Sequence, residues 1–216
     1  MTAIAVSKRS VKVVCGVSSY GKTLFGIRNA LNAPLAVRYF YDAEFSELDP
    51  AQPEYAHRLK LPPARTAADL DLALCRGWVC FDPHTMFPGR LDEGLEFFCE
   101  WAYETSKRIE GEKALFVDEI WRYTNPHTLP PNLATIVQTG RRARLQLVCN
   151  TQEPSGLGKI ANGMSELVAF RLQSRANLDW IEFNGLDPAE VGQLNVRQFV
   201  ARNCDTGGML RGTIRV

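Results

Sequence analysis

The sequence lacks a hydrophobic run long enough to cross a membrane, because no uninterrupted stretch reaches the roughly 18 apolar residues that a spanning helix needs. Residues 1–14 also have no apolar core followed by a small-residue cleavage site, which a secretory signal would show. We therefore expect a soluble protein with no membrane span of its own.

Net charge is also nearly absent: 25 Lys and Arg side chains against 24 Asp and Glu leave a formal charge of +1. A chain this neutral does not attract nucleic acid as a whole. Any such contact must come from a local basic patch or from an assembled ring of subunits.

Paired cysteine motifs are missing as well. The six cysteines are scattered, and none form a Cys-x-x-Cys pair, so neither a zinc site nor a disulfide framework is expected. Cys15 and Cys149 lie in apolar runs typical of buried strands, where a thiol behaves as a small hydrophobic group. This cysteine usage fits a reducing cytosol.

Short β-rich runs alternate with helical patterns along most of the chain. Strands are predicted at Val11–Cys15, Leu35–Tyr41, Trp78–Phe81, Lys113–Val117, Leu145–Cys149 and Glu166–Leu172. Helices are predicted at Lys22–Leu31, from Thr66 to about Gly77, at Leu91–Ile109, from about Pro131 to Ala143, and at Asp187–Leu194.

Two regions depart from this alternation. Residues 42–63 contain four prolines, which favours a loop or irregular structure. Runs at Gln198–Arg202 and Met209–Val216 flank Asp205–Gly208, which predicts a C-terminal β-hairpin. The sequence therefore predicts an α/β fold with a mostly parallel sheet covered by helices on both faces, as a single domain over residues 1–216.

A phosphate-binding motif lies between the first strand and the first helix. It consists of Gly16, Val17, Ser18, Ser19, Tyr20, Gly21, Lys22 and Thr23, in the pattern Gly-x-x-x-x-Gly-Lys-Thr. The glycines let the backbone curl so that its N–H groups face phosphate oxygens, and the helix start adds its positive dipole end. We expect these eight residues to bind ATP, with Lys22 at the β- and γ-phosphates and the Thr23 hydroxyl on Mg²⁺. A glycine turn that happens to precede Lys-Thr is the structural alternative.

Two carboxylates end the apolar strand Lys113–Val117. Side chains alternate along a strand, so Asp118 and Glu119 point in different directions. Asp118 is predicted to hold Mg²⁺ through water, and Glu119 to orient and deprotonate the attacking water. An acidic exit from a surface strand is the alternative interpretation.

The adjacent Asp118-Glu119 pair resembles the additional-strand, catalytic-glutamate division of P-loop NTPases, the division of motors and recombinases. Two predicted strands between the motifs agree with that layout. The resemblance implies a three-layer fold of the RecA type and an ATP-driven motor. GTPases and most small-molecule kinases lack the catalytic glutamate.

The stretch from Leu133 to Pro154 resembles the FtsK–HerA superfamily of DNA-pumping ATPases. A helix ends in Gly140-Arg141-Arg142, a strand follows, and Thr151-Gln152-Glu153-Pro154 ends that strand. The segment Phe170–Asp179 is similar to the arginine-bearing strand and following turn of the family. The resemblance covers most of residues 11–180.

This resemblance implies roles for several polar residues. Gln152 would be the polar sensor of the γ-phosphate or the attacking water, an amide being able both to donate and to accept. Arg141 or Arg142 would be supplied to the nucleotide of a neighbouring subunit, with Arg171 and Arg175 as second choices. The alternatives are a loop glutamine bonded to backbone and a solvated basic helix end.

The chain has almost no sequence outside the motor core. In this compactness it resembles the genome-packaging ATPases of membrane-containing icosahedral viruses. That resemblance implies a homo-oligomeric ring with ATP and Mg²⁺ at subunit interfaces, acting on DNA, most readily a double-stranded genome, and on capsid or vertex proteins. It implies a location at the packaging vertex of the virion and in the host cytoplasm, with any membrane association through partners. Candidate DNA contacts are Arg58, Lys60 and Arg65 as one patch and Lys159 with the loop after Gln152 as another, although solvated surface explains each residue singly.

Two other functions stay open. A filamentous-phage assembly ATPase of the zona-occludens-toxin type shares the P-loop and the layout after Asp118-Glu119, although such proteins usually have a membrane segment and a further domain. A small-molecule kinase would need an acceptor and no ring. Glu119 and the stretch from Gly140 to Gln152 argue against the kinase.

Overall fold

The computed structural model describes residues 10–124 and 127–215, and within them eight strands form one sheet in the order β3-β2-β4-β5-β1-β6-β7-β8. Strands β1 to β6 run parallel, whereas β7 and β8 are antiparallel and form a hairpin. Their bounds are β1 Val11–Cys15, β2 Val37–Tyr41, β3 Trp78–Phe81, β4 Lys113–Val117, β5 Leu145–Thr151, β6 Met164–Ala169, β7 Gln198–Asn203 and β8 Met209–Thr213.

Helices cover both faces of this sheet. Their bounds are α1 Lys22–Asn32, α2 Glu54–Leu59, α3 Ala67–Cys75, α4 Leu91–Ser106, α5 Pro131–Thr139, α6 Arg175–Phe183 and α7 Pro188–Gln193. Apolar side chains of α3 to α7 pack into a core on one face, and those of α1 and α2 pack into a second core on the other. The prediction of a three-layer α/β fold is confirmed.

The central strands are buried on both faces, as the continuous apolar runs predicted. In β1, Val13 and Cys15 belong to the first core, and Val14 belongs to the second. Strand β5 lies between β1 and β4. The phosphate-loop strand and the carboxylate strand are therefore separated by one further strand, which is the arrangement expected of the additional-strand division.

Helix α2 lies in the stretch that the prolines had indicated to be loop, so that expectation was wrong. The helix has six residues and depends on a distant cap. The buried Asp42 carboxylate accepts the backbone N–H of Tyr55 at 2.9 Å and that of Ala56 at 2.7 Å. Because Asp42 is distant in sequence from the helix that it caps, the residues next to the helix show no capping signal. Pro53 is compatible with the start of a helix.

Helix α6 was not predicted, and it begins within Phe170–Asp179, the segment whose resemblance implied a strand and a following turn. Its N-terminus is capped because the Ser174 hydroxyl accepts the backbone N–H of Asn177 at 3.3 Å. Ile181 is buried in the first core, which fixes the helix against the sheet.

Several predicted elements are longer than the observed ones. The helix predicted to end at Ala143 stops at Thr139 and continues as a 3-10 turn over Gly140–Ala143, where the chain turns back into β5. The strand predicted to reach Leu172 ends at Ala169, and the helix predicted to reach Ile109 ends at Ser106. The last strand ends at Thr213, and Val216 lies outside the described residues.

The six cysteines are free thiols, four of them buried. Burial raises the pKa of Cys15 and of Cys149 to about 12 each, so both stay protonated at neutral pH. Within the described ranges, no helix is both long and apolar enough to cross a membrane.

Gly140, where α5 turns toward β5, provides a test of this packing. A Cβ atom there would lie 2.7 Å from the Leu145 carbonyl oxygen, which belongs to rigid backbone, whereas a Cβ at Gly192 in α7 would meet nothing within 4 Å. We expect Gly140→Ala to lower the free energy of unfolding by about 1–3 kcal/mol through overpacking. Gly192→Ala, the matched control, should raise it by up to about 1 kcal/mol through helix propensity. Chemical denaturation measures both, and equal effects would contradict the packing described.

Candidate nucleotide-binding site

The loop between β1 and α1 depends on glycine at its two ends. Gly16 and Gly21 have φ angles of +155° and +109°. A Cβ at Gly16 would lie 2.6 Å from the Phe170 Cβ, so a side chain does not fit there. Ser18 and Ser19 form the exposed crown of the loop, and Ser19 has a left-handed φ of 63°. The loop therefore has the curled, open shape that a phosphate group requires.

Two neighbouring segments hold this loop in place. The Val17 N–H donates to the Arg171 carbonyl at 2.9 Å, and the Arg197 N–H donates to the Tyr20 carbonyl at 3.1 Å. The Ile214 N–H in turn donates to the Arg197 carbonyl at 3.0 Å. The residues that flank the C-terminal hairpin thus support the loop, a role that the sequence did not indicate.

Lys22 points back over the loop from the first turn of α1. Its Nζ donates to the Val17 carbonyl at 3.2 Å and lies 3.8 Å from the Glu119 Oε1. Burial lowers the pKa of Lys22, and the Glu119 and Asp118 carboxylates oppose that shift. The first N–H groups of a helix have no partner within it, so the start of α1 can also bind an anion.

Asp118 and Thr23 bring the two motifs into contact. The Thr23 hydroxyl donates to the Asp118 Oδ2 at 2.8 Å, and the Tyr55 hydroxyl lies 3.5 Å from the same oxygen. Burial raises the pKa of Asp118, while the Thr23 hydrogen bond lowers it. A hydroxyl and a carboxylate are hard oxygen ligands of the kind that Mg²⁺ prefers, so these residues fit the metal predicted for them.

Asn150, on β5, completes this side of the site. Its Nδ2 donates to the Tyr55 hydroxyl at 3.4 Å, whereas its Oδ1 is buried without a hydrogen-bond partner among the described residues. A buried acceptor without a partner is uncommon in folded proteins. It is available to a donor bound in the site, such as a water molecule.

Glu119 lies at the centre of a cluster of polar side chains. Its Oε1 accepts the Gln152 side-chain amide at 2.8 Å, and its Oε2 accepts the Trp121 indole N–H at 2.6 Å. The Glu119 backbone is left-handed, with φ 46° and ψ 46°. The predicted base and the predicted sensor are therefore in direct contact beside Lys22.

Hydrogen bonds from the buried Asn177 hold the loop that carries Gln152 in place. The Asn177 Nδ2 donates to the Gln152 carbonyl at 3.2 Å and lies 3.2 Å from the Glu153 carboxylate, and its Oδ1 accepts the Ser155 hydroxyl at 2.9 Å. Asn177 belongs to α6, the helix that the sequence did not predict.

Sequence reasoning missed four side chains of this site: Tyr55, Trp121, Asn150 and Asn177. Asn150 had a usable signal, because it is a polar residue within an apolar strand that precedes Gln152. The other three depend on tertiary contacts, and two of them belong to the unpredicted helices α2 and α6.

The structure does not bring Arg141 and Arg142 to the phosphate loop of the same chain. Both are exposed in the turn that precedes β5, whereas the loop follows β1. Because β1 and β5 are parallel, the two places are at opposite ends of the sheet. There Arg141 and Arg142 line a groove together with Ser10 and Lys159.

The second-choice arginines lie elsewhere. Arg171 is beside the loop of its own chain, with Nη1 3.4 Å from the Tyr20 hydroxyl. Arg175 is an exposed residue at the start of α6 and pairs with Asp179 at 2.8 Å.

The two predicted basic patches differ in their pairing. Arg58 forms an ion pair with Glu54, and Arg65 forms one with Asp82 at 2.7 Å, so the first patch is partly neutralised. Lys60 is exposed at the end of α2. Lys159 lies in the groove with Arg141 and Arg142, which concentrates positive charge there.

Comparisons with known proteins give structural matches. The sequence matches no protein-family model, and no curated protein matches it. The genome packaging NTPase B204 from Sulfolobus turreted icosahedral virus 2, solved in complex with AMP, is similar over 96% of this chain and 98% of that chain, at 16% identity and a TM-score of 0.74. B204 of Sulfolobus Turreted Icosahedral Virus, a DNA-packaging ATPase, is similar over 95% and 98%, at 17% identity and a TM-score of 0.66.

VirB4 of Thermoanaerobacter pseudethanolicus matches 65% of this chain and 42% of its own, at 16% identity and a TM-score of 0.50. At such identities these likenesses show the fold. This chain has the α/β P-loop NTPase fold that its motifs predicted, and its structure is similar to those of the genome packaging NTPases named above.

Proposed function

We propose that this chain is an ATP-driven DNA translocase that packages a viral genome into a preformed capsid. The observation that carries the proposal is the convergence of two distant motifs on one site: Thr23 contacts Asp118, and Lys22 and Gln152 both approach Glu119. The similarity of the whole fold to a genome packaging NTPase supports the same class of function.

The phosphates of ATP would lie over residues 16–23, with Lys22 neutralising their charge. Mg²⁺, bound through Thr23 and Asp118, would neutralise further charge on the phosphates. Water attacks the γ-phosphorus, its proton passes to Glu119, and the bond to the bridging oxygen of ADP breaks, which leaves ADP and phosphate. Gln152, whose side-chain amide is hydrogen-bonded to Glu119, would orient that water.

We propose further that the protein works as a homo-oligomeric ring. Arg141 and Arg142 are exposed at the end of the sheet away from their own phosphate loop, which suits a role at the nucleotide of a neighbouring subunit. Such an arginine typically contributes about 10³–10⁵ in rate. The exposed Lys60 and Lys159 are candidates for contacts with DNA phosphates, which need no base recognition.

The proposed location is the packaging vertex of the virion and the host cytoplasm, with capsid or vertex proteins as partners. The contact between Glu119 and Gln152 argues against a small-molecule kinase. These two side chains are placed to activate a water molecule, whereas a kinase must keep such a water away from the phosphate that it transfers. Among the residues that the structure describes, no specific contact favours the filamentous-phage assembly ATPase.

The first test is ATP hydrolysis by the full chain with and without double-stranded DNA, together with its mass in solution. We expect DNA to raise the rate several-fold with no other acceptor present, and an oligomer to carry the activity. Single-stranded DNA is the comparison that identifies the substrate. Hydrolysis that DNA does not change would contradict translocation, and turnover only with an added metabolite would support the kinase.

Glu119→Gln tests the general base. The substitution keeps the shape of the side chain but removes its basicity, so we expect ATP to bind with nearly unchanged affinity and kcat to fall by about 10²–10⁴-fold. Glu93→Gln, at an exposed position on α4, is the matched control and should behave as the wild type. Calorimetric titration and steady-state assays measure the two quantities, and normal turnover by Glu119→Gln would remove the assignment.

Mixed rings test the arginine in trans. Lys22→Ala subunits lack a working phosphate site but keep Arg141, and Arg141→Ala subunits have the reverse defect. Mixing the two inactive variants should therefore restore part of the activity, because some interfaces then combine an intact site with an intact arginine. The same experiment applies to Arg142. Failure of every such mixture to recover activity would contradict completion of the site by a neighbour.

A further inference from the structure

Trp121 contacts the carboxylate that the proposed reaction needs as its base. The indole Nε1 donates to the Glu119 Oε2 at 2.6 Å, and the two residues are separated by one position in the chain. The Trp121 side chain is 38% exposed, so the core does not require it. The indole N–H is the one hydrogen-bond donor of this partly exposed side chain, and it is bonded to a carboxylate. Trp121 therefore has a polar role as well as a packing one.

The Glu119 carboxylate has three partners within residues 10–124 and 127–215. Lys22 and Gln152 both approach Oε1, at 3.8 Å and 2.8 Å, and Trp121 holds Oε2. In the proposed reaction Lys22 and Gln152 turn to the phosphates and to the attacking water. Trp121 has no such second task, so its hydrogen bond is the one that persists when the site is loaded.

The segment that carries Trp121 is itself fixed on both sides. Ile120 is fully buried, and Arg122 forms an ion pair with Glu44 in the loop after β2. The Arg122 guanidinium also lies 5.9 Å from the Trp121 ring. The turn that carries the indole N–H is therefore held in place. The backbone of Glu119, by contrast, has a left-handed conformation that is unfavourable by itself and depends on the surrounding structure.

We propose that Trp121 is a positioning residue for Glu119, which keeps one carboxylate oxygen occupied so that the other faces the attacking water. The assignment rests on the proposed ATPase function. In the proposed reaction Trp121 acts through the base, so we expect it to govern the rate of the chemical step and to leave nucleotide binding unchanged.

Trp121→Phe removes the N–H donor and keeps an aromatic ring. We expect kcat for ATP to fall about tenfold, as the loss of a hydrogen bond to a charged group predicts, with KM and the affinity for a non-hydrolysable ATP analogue changed less than about twofold. Trp78→Phe, at the opposite end of the sheet from Glu119, is the matched control and should keep the wild-type kcat. Thermal unfolding of both variants verifies that they fold.

A double-mutant cycle separates positioning from a general structural effect. In single-turnover assays, Trp121→Phe should have no further effect in the Glu119→Gln background, because a positioning residue acts only through its base. Additive losses, an unchanged kcat, an increased kcat or a selective rise in KM would each overturn the assignment. Absence of ATP hydrolysis by the wild-type chain would instead overturn the proposed function, and this assignment with it.

Discussion

A single hydrogen bond from Thr23 to Asp118 joins two parts of the chain that are 95 positions apart in sequence. It spans the space above β5, the strand that separates the phosphate loop from the carboxylates. Around it, Lys22 approaches Glu119, and Tyr55 approaches Asp118 from α2, in the same layer of helices as α1. The site exists because the sheet holds the carboxyl ends of β1, β4 and β5 side by side, and each of these strands contributes polar groups there.

Burial gives these polar groups their chemical character. Lys22 is buried and Asp118 is partly buried, and the loss of stabilisation by water lowers the pKa of Lys22 and raises that of Asp118. The Glu119 and Asp118 carboxylates oppose the shift of Lys22, and the Thr23 hydroxyl and Lys22 oppose that of Asp118, so these groups stabilise one another. Stability and chemistry therefore depend on the same contacts.

The fold and the centre of the site could be predicted because their signals are local. The apolar runs of β1 and β4, the loop glycines and the adjacent Asp118-Glu119 each occupy a few consecutive residues. Helix α2 escaped prediction because its cap, Asp42, lies far from it in sequence. The contacts of Trp121 and Asn177 could not be predicted from the sequence either, because they depend on how the turn after Glu119 and helix α6 pack. The role proposed for Arg141 and Arg142 requires a second subunit, so it stays a prediction that no contact within one chain can test.

The arrangement of charges around Lys22 has an electrostatic consequence. Two carboxylates, Asp118 and Glu119, lie near the one ammonium group of Lys22, so the immediate surroundings of Lys22 carry more negative than positive charge. A bare triphosphate would meet repulsion as well as attraction there. In the proposed function, a divalent cation that accompanies the triphosphate would offset that repulsion, so we expect the nucleotide to enter this cleft as its metal complex.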